Sequence, residues 1–198
     1  MILRRDFFAR TTEVIAQELL GAFLVHDLPY GRVVGRIVET EAYLSDGDPA
    51  CHAHKGMTNR NASMFGPAGR AYVYLVYGMY YCFNVVTAEK GKGEAVLIRA
   101  LEPIEGISLM ERHRNTSDLK TLCNGPGKLV MAMGIDKRHD GQTLMSGALK
   151  LMSSDSSEFQ KYNSQEIDIL RTTRIGISKG TELPLRYYIR DCNFISKK

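Results

Sequence analysis

Three groups of side chains have types and spacings suited to chemistry. The first is Glu39-Thr40-Glu41. In an extended segment, alternation puts both carboxylates on one face, about 6–7 Å apart. Facing a cleft, they would be desolvated and would repel each other, which raises at least one pKa and suits acid–base work. Facing solvent, they would be an ordinary charged strand edge, and periodicity alone favours that simpler arrangement. The second group is Tyr72, Tyr74, Tyr77, Tyr80 and Tyr81, half of the chain's ten tyrosines. Tyr72 and Tyr74 share a strand face, where packing is the usual role. Tyr77 precedes Gly78 at an expected turn tip, where a ring is exposed unless it inserts into something. A nucleic-acid base stack offers such a target, worth about 1–3 kcal/mol per stacked base. The third group is electrostatic. From Pro49 to Ala88 the only charged residues are Lys55, Arg60 and Arg70, an acid-free interval of the kind a phosphate-facing surface has.

Other motifs point away from specific chemistries. His52-Ala53-His54 lacks a thiolate or carboxylate partner in view, so a loop role is expected and no metal. Gly125-Pro126-Gly127-Lys128 lacks Walker spacing and the following Ser/Thr, although its amides could meet a nucleic-acid phosphate at a helix start. There is no Gly-x-Ser-x-Gly elbow and no dinucleotide fingerprint, so no cofactor is expected. Cys51, Cys82, Cys123 and Cys192 include no Cys-x-x-Cys pair, which argues against zinc ribbons, iron–sulfur clusters, thioredoxin-like sites and the zinc base deaminases. So few, so scattered cysteines read as an intracellular, reducing setting. The charged start MILRRDFFAR does not read as a signal peptide.

The elements that must position these residues follow from patterning. A helix is expected from Thr11 or Thr12 to Leu20, stopped by Gly21. AFLVHDL reads as a strand, Pro29-Tyr30-Gly31 as a turn and RVVGRIVETEAY as a return strand. Residues 44–69 read as a long functional loop. Ala71 to Ala88 is uncharged, but Gly78, Asn84, Thr87 and five tyrosines favour two buried strands around a turn over a membrane helix. GEAVLIRALEP is a further strand, Pro103 a possible helix start before ISLMERHR, and NGPGKLVMAMG another helix stopped by Gly134. SSDSSEFQ reads as an exposed polar loop, and TTRIGIS and LPLRYYIR as strands. The 198 residues, 44% hydrophobic and 24% charged with a net charge of +4, suit one α+β domain over residues 1–198, with a curved, mostly antiparallel sheet and surrounding helices.

Taken together, GRIVETEAYL, MFGPAGRAYVYLVYGMYYCFNVV, VLIRALEP, CNGPGKL and PLRYYIRDC resemble the alkyladenine (3-methyladenine) DNA glycosylase family, the compact type without a helix-hairpin-helix motif. The blocks occur in family order from about Asp6 to Ile195. The resemblance implies a repair enzyme that acts on duplex DNA containing damaged purines and carries a protruding β-hairpin; a monomer is expected, because one damaged nucleotide needs one pocket. It implies that Glu41 activates the attacking water and that Arg99 holds it, with a main-chain carbonyl near Ile175. Tyr43, His52 and Tyr74 would sandwich the extruded base, Asn84 would exclude guanine by crowding its exocyclic amino group, and Tyr77 would fill the gap in the duplex. Met64, Met79 and Lys128 are further expected DNA contacts. The segment from His52 to Met64 is shorter than in vertebrate members. Two alternatives carry different outcomes: a non-catalytic nucleic-acid-binding module of the same fold, and a lyase acting through a lysine Schiff base.

Overall fold

The computed structural model describes residues 1–76, 78–162 and 167–197. Among these residues eight antiparallel strands form one sheet: β1 (Phe23–Leu28), β2 (Gly31–Tyr43), β3 (Ala71–Val76), β4 (Tyr80–Thr87), β5 (Glu94–Glu105), β6 (Leu149–Met152), β7 (Ile169–Thr172) and β8 (Arg186–Ile189). The main path runs β3-β4-β5-β2-β1-β6. Both β1 and β8 pair with β2, through residues 31–36 and 39–41 respectively, while β5 pairs with residues 34–43. Among the described residues four helices pack around the sheet: α1 (Arg5–Phe8), α2 (Thr12–Glu18), α3 (Ile107–Arg114) and α4 (Pro126–Ala132). The architecture is the expected α+β arrangement with a curled antiparallel sheet.

The sheet is held by continuous apolar contact rather than by propensity. Ile37, Ile98 and Leu101 of the two longest strands are fully buried, in one cluster with Phe8, Ile15 and Leu19 of the N-terminal helical segment. Close approach matters at Gly35, where an added Cβ would stand 2.9 Å from that of Leu101. Gly106 closes β5 with φ +73°, and a side chain there would meet the Arg32 carbonyl oxygen at 2.1 Å.

Several expectations are corrected. Pro103 does not begin a helix; β5 continues to Glu105, because a register shift beside Pro103 accommodates the missing N–H, and α3 starts only after Gly106. Residues 153–160 are not simply exposed: they run into a 3-10 turn, Ser157–Tyr162, that buries Phe159 against Phe23. TTRIGIS is not a strand; pairing ends at Thr172 and the rest is loop. Thr12 does not cap α2 through its side chain but bonds the buried carboxylate of Glu94 at 2.5 Å. The uncharged stretch 71–88 forms the β3–β4 hairpin, and among the described residues no helix is long and apolar enough to cross a membrane. The expected tip residue, Tyr77, lies outside the described residues.

Candidate active site

Cross-strand register assembles the site. Glu41 on β2 lies opposite Leu97 on β5, Leu97 opposite Asn84 on β4, and Asn84 opposite Tyr72 on β3. Four segments separated in sequence thus place their side chains in one row on one face of the sheet. Beside this row, β2 and β5 carry compensating irregularities. Ile37 pairs with Leu101, Glu39 with Ala100 and Thr40 with Ile98, so Val38 and Arg99 are each left unpaired. Bulges of this kind re-aim a side chain. Here Arg99 is placed between the two glutamates, its Nε 3.3 Å from Glu39 and its Nη1 3.3 Å from Glu41.

Both carboxylates are fully buried, so they do not form the solvent-facing edge that periodicity favoured. Burial alone would expel such charges, and each is compensated by donors. Glu39 accepts from the Ser196 backbone N–H at 2.6 Å and its hydroxyl at 2.9 Å, and lies 3.1 Å from Arg186. Desolvation is the largest influence on Glu39 and pushes its pKa up, against these donors. Glu41 is held differently. Its Oε1 accepts the Ile175 N–H at 2.8 Å and faces Arg99, while its Oε2 accepts the Tyr43 hydroxyl at 2.9 Å. Each oxygen thus accepts one hydrogen bond, and Oε1 alone also faces the guanidinium, which leaves Oε2 the freer acceptor. Arg99 also reaches the Ile175 carbonyl at 3.4 Å.

Tyr43, Arg99 and Ile175, the three residues that hold Glu41, line a cleft of about 790 Å³ together with His52 and Tyr74 among others, and Gly176 to Lys179 continue its wall. A smaller recess of about 20 Å³ adjoins the same tyrosines and is bounded by Met64, Tyr72 and Asn84. The walls are braced. Tyr72 and Tyr74 rings lie 5.1 Å apart, His52 meets Tyr74 edge-on at 4.5 Å, and His52 Nδ1 is 2.9 Å from the Tyr72 hydroxyl. Burial lowers the His52 pKa, and Arg60 acts in the same direction, so the ring is favoured neutral. Asn84 donates to the Tyr72 carbonyl at 3.0 Å, which fixes its amide.

The structure therefore brings together Glu41, Arg99, Tyr43, His52, Tyr74 and Asn84. Met64 is 2% exposed, packed beneath the recess, while Met79 is 67% exposed on the hairpin. Lys128 donates to Asn124 at 2.7 Å on the segment whose Pro126 reaches the cleft. Val76 and Gly78, which flank Tyr77, also line the cleft. Of the three basic residues in the acid-free interval, Arg60 lines the cleft and sits 5.9 Å from the Tyr74 ring centre. Arg70 instead donates to the Gly141 carbonyl. Among the described residues no cluster of three metal-ligating side chains occurs. Sequence reasoning missed Asp48, Arg174, Arg186 and Ser196. Their partners lie far along the chain, Asp48 and Arg174 being 126 positions apart, and no local pattern signals such pairs.

A buried carboxylate held by residues that line an aromatic cleft is the equipment of a hydrolase acting on a flat, stackable group. Comparison with known proteins gives the class. Residues 6–193 match the family model described as methylpurine-DNA glycosylase (MPG). Similar chains, each bearing the name "Putative 3-methyladenine DNA glycosylase", include one from Methanoculleus marisnigri, 47% identical over the whole of both chains. One from Francisella tularensis subsp. tularensis is 50% identical over 92% of each, and one from Carboxydothermus hydrogenoformans 44% identical over the whole of both. The chain belongs to the methylpurine-DNA glycosylase family.

Proposed function

We propose that the protein is a monofunctional DNA glycosylase, working as a single chain on cellular DNA. On this reading it extrudes alkylated or otherwise damaged purines from the duplex and hydrolyses the N-glycosidic bond, leaving an abasic site. The observation that carries the reading is Glu41, a fully buried carboxylate held by Tyr43, Ile175 and Arg99, three residues that line a cleft also walled by Tyr74.

A base within the stack is unreachable, so its nucleotide is rotated out at a cost of a few kcal/mol. Tyr77 fills the vacated space, and Met79 on the same hairpin together with Lys128 contacts the DNA. Tyr43, His52 and Tyr74 enclose the extruded ring, and Asn84 stands where a guanine amino group would clash. Departure of the base with the glycosidic electron pair leaves an oxocarbenium-like sugar. Glu41 stabilises that positive charge and takes a proton from the attacking water through Oε2, while Arg99 and the Ile175 carbonyl position the water. Alkylated purines carry positive charge, which makes them good leaving groups and good partners for electron-rich ring faces. Neutral lesions require a proton before they leave.

A non-catalytic module would have no use for a carboxylate buried at a desolvation cost of several kcal/mol. A lyase requires an accessible amine, and among the described residues Lys179 is the one lysine lining the cleft. The test is a panel of duplexes, each with one modified purine, scored for free base, with borohydride added in parallel. Free base with no covalent protein–DNA adduct is expected. Tight, salt-sensitive binding without base release would restore the binding module, and a trapped adduct would establish the lyase.

A further inference from the structure

Asp48 and Arg174 form an ion pair in which neither side chain is exposed. The contact is bidentate, Nη1 to Oδ2 and Nη2 to Oδ1, both at 2.6 Å. Replacing such a buried pair by apolar residues is often neutral or stabilising, so stability does not explain it. Its further contacts do. Arg174 Nη1 also donates to the Ala42 carbonyl at 3.0 Å, and the guanidinium lies 4.6 Å from the centre of the Tyr43 ring. Asp48 additionally accepts the Leu44 and Ala50 N–H groups, both at 3.1 Å, which ties down the loop carrying Pro49 and Ala50 into the cleft. The residue after Arg174 is Ile175, whose N–H holds Glu41 and whose carbonyl meets Arg99.

We propose that Asp48 and Arg174 are positioning residues. The pair locks the Tyr43 wall, the 44–50 loop and the Ile175 rung on Glu41 into one rigid unit. Resting on the glycosylase reading above, this unit sets the rate of base excision without touching the base. The pairing also has an electrostatic consequence. A bare guanidinium behind Tyr43 would oppose a cationic base stacked on the front face, and the Asp48 carboxylate cancels that field. Lysine cannot replace Arg174, because an ammonium cannot make the planar fork and lie flat on the ring together.

The test combines amide hydrogen exchange with single-turnover excision per folded molecule, for Arg174→Lys, Arg174→Met and Asp48→Asn. Both Arg174 variants are expected to speed Ile175 amide exchange at least about tenfold, leaving Ile98 and Leu101 unchanged, and to slow excision about tenfold or more. Asp48→Asn is expected to slow release of a cationic methylpurine more than that of neutral hypoxanthine. Wild-type Ile175 exchange and wild-type excision per folded molecule in Arg174→Lys would overturn the proposal. So would losses in all variants that track only the folded fraction. Faster Ile175 exchange in the variants, with a wild-type protein that frees no base, would uphold the positioning role and defeat the glycosylase reading instead.

Discussion

Strand β2 is two materials in one segment. From Val33 to Ile37 it pairs regularly with β1 and places Val33 and Ile37 in the main core, with Arg36 as its one charged residue. From Glu39 to Tyr43 it carries two buried carboxylates and a stacking ring, pairs with the short β8, and depends on donors from the loop and tail around Ile175 and Ser196. The unpaired residues Val38 and Arg99 mark the boundary. One half stabilises by removing apolar surface from water; the other spends part of that stability on holding charge in a dry place. Polar sites are affordable because the apolar half anchors the same strand.

Mutations should separate the halves. Ile37→Ala removes a fully buried side chain and is expected to lower unfolding stability by about 2–5 kcal/mol, measured by urea denaturation, with excision per folded molecule unchanged. A parallel loss of rate would mean the halves are not independent. Tyr74→Leu is expected to weaken binding to a lesion-containing duplex by about 1–3 kcal/mol, seen in titration against matched undamaged DNA, whose affinity should hold. Lys128→Ala is expected to weaken binding to damaged and undamaged duplex alike and to reduce the slope of log affinity against log salt by about one.

The smallest effect concerns pH in the apolar half. His26 on β1 lies opposite Val33, its Nδ1 2.8 Å from the Met133 carbonyl and its ring 4.9 Å from His139. Burial lowers its pKa below 6.5, so the unfolded chain takes up the proton first as pH falls. Stability should therefore decline as pH drops from about 6.5 towards the folded pKa, and a melting series should show a shallower decline for His26→Gln. An unchanged slope would assign the acid sensitivity elsewhere.

Sequence and structure agree best where contacts are local or periodic. The β1–β2 hairpin and the β3–β4 hairpin follow from alternation and turn residues, and α4 from Pro126 and Gly134. The shared face of Tyr72 and Tyr74 was legible for the same reason. The burial of Glu39 and Glu41 was not, because it depends on partners from β5, the 175 loop and the C-terminal tail. TTRIGIS alternates like a strand, yet Arg174 turns inward to Asp48 and the Ile175 amide serves a carboxylate instead of a neighbouring strand. The four-residue β6 is too short to announce itself by period. Spacing alone suggested acid–base work for the Glu39–Glu41 pair and insertion for Tyr77, whereas the roles of Arg99, Tyr43 and Tyr74 and the choice of Glu41 came from the family likeness.

The central claim is that Glu41 primes water against the sugar, and Glu41→Gln tests it most directly. Single-turnover release of 3-methyladenine from a duplex should fall by about 10²–10⁴-fold, the usual contribution of a positioned general base, while affinity for the damaged duplex stays near wild type. Base release at the wild-type rate in that variant would contradict the account.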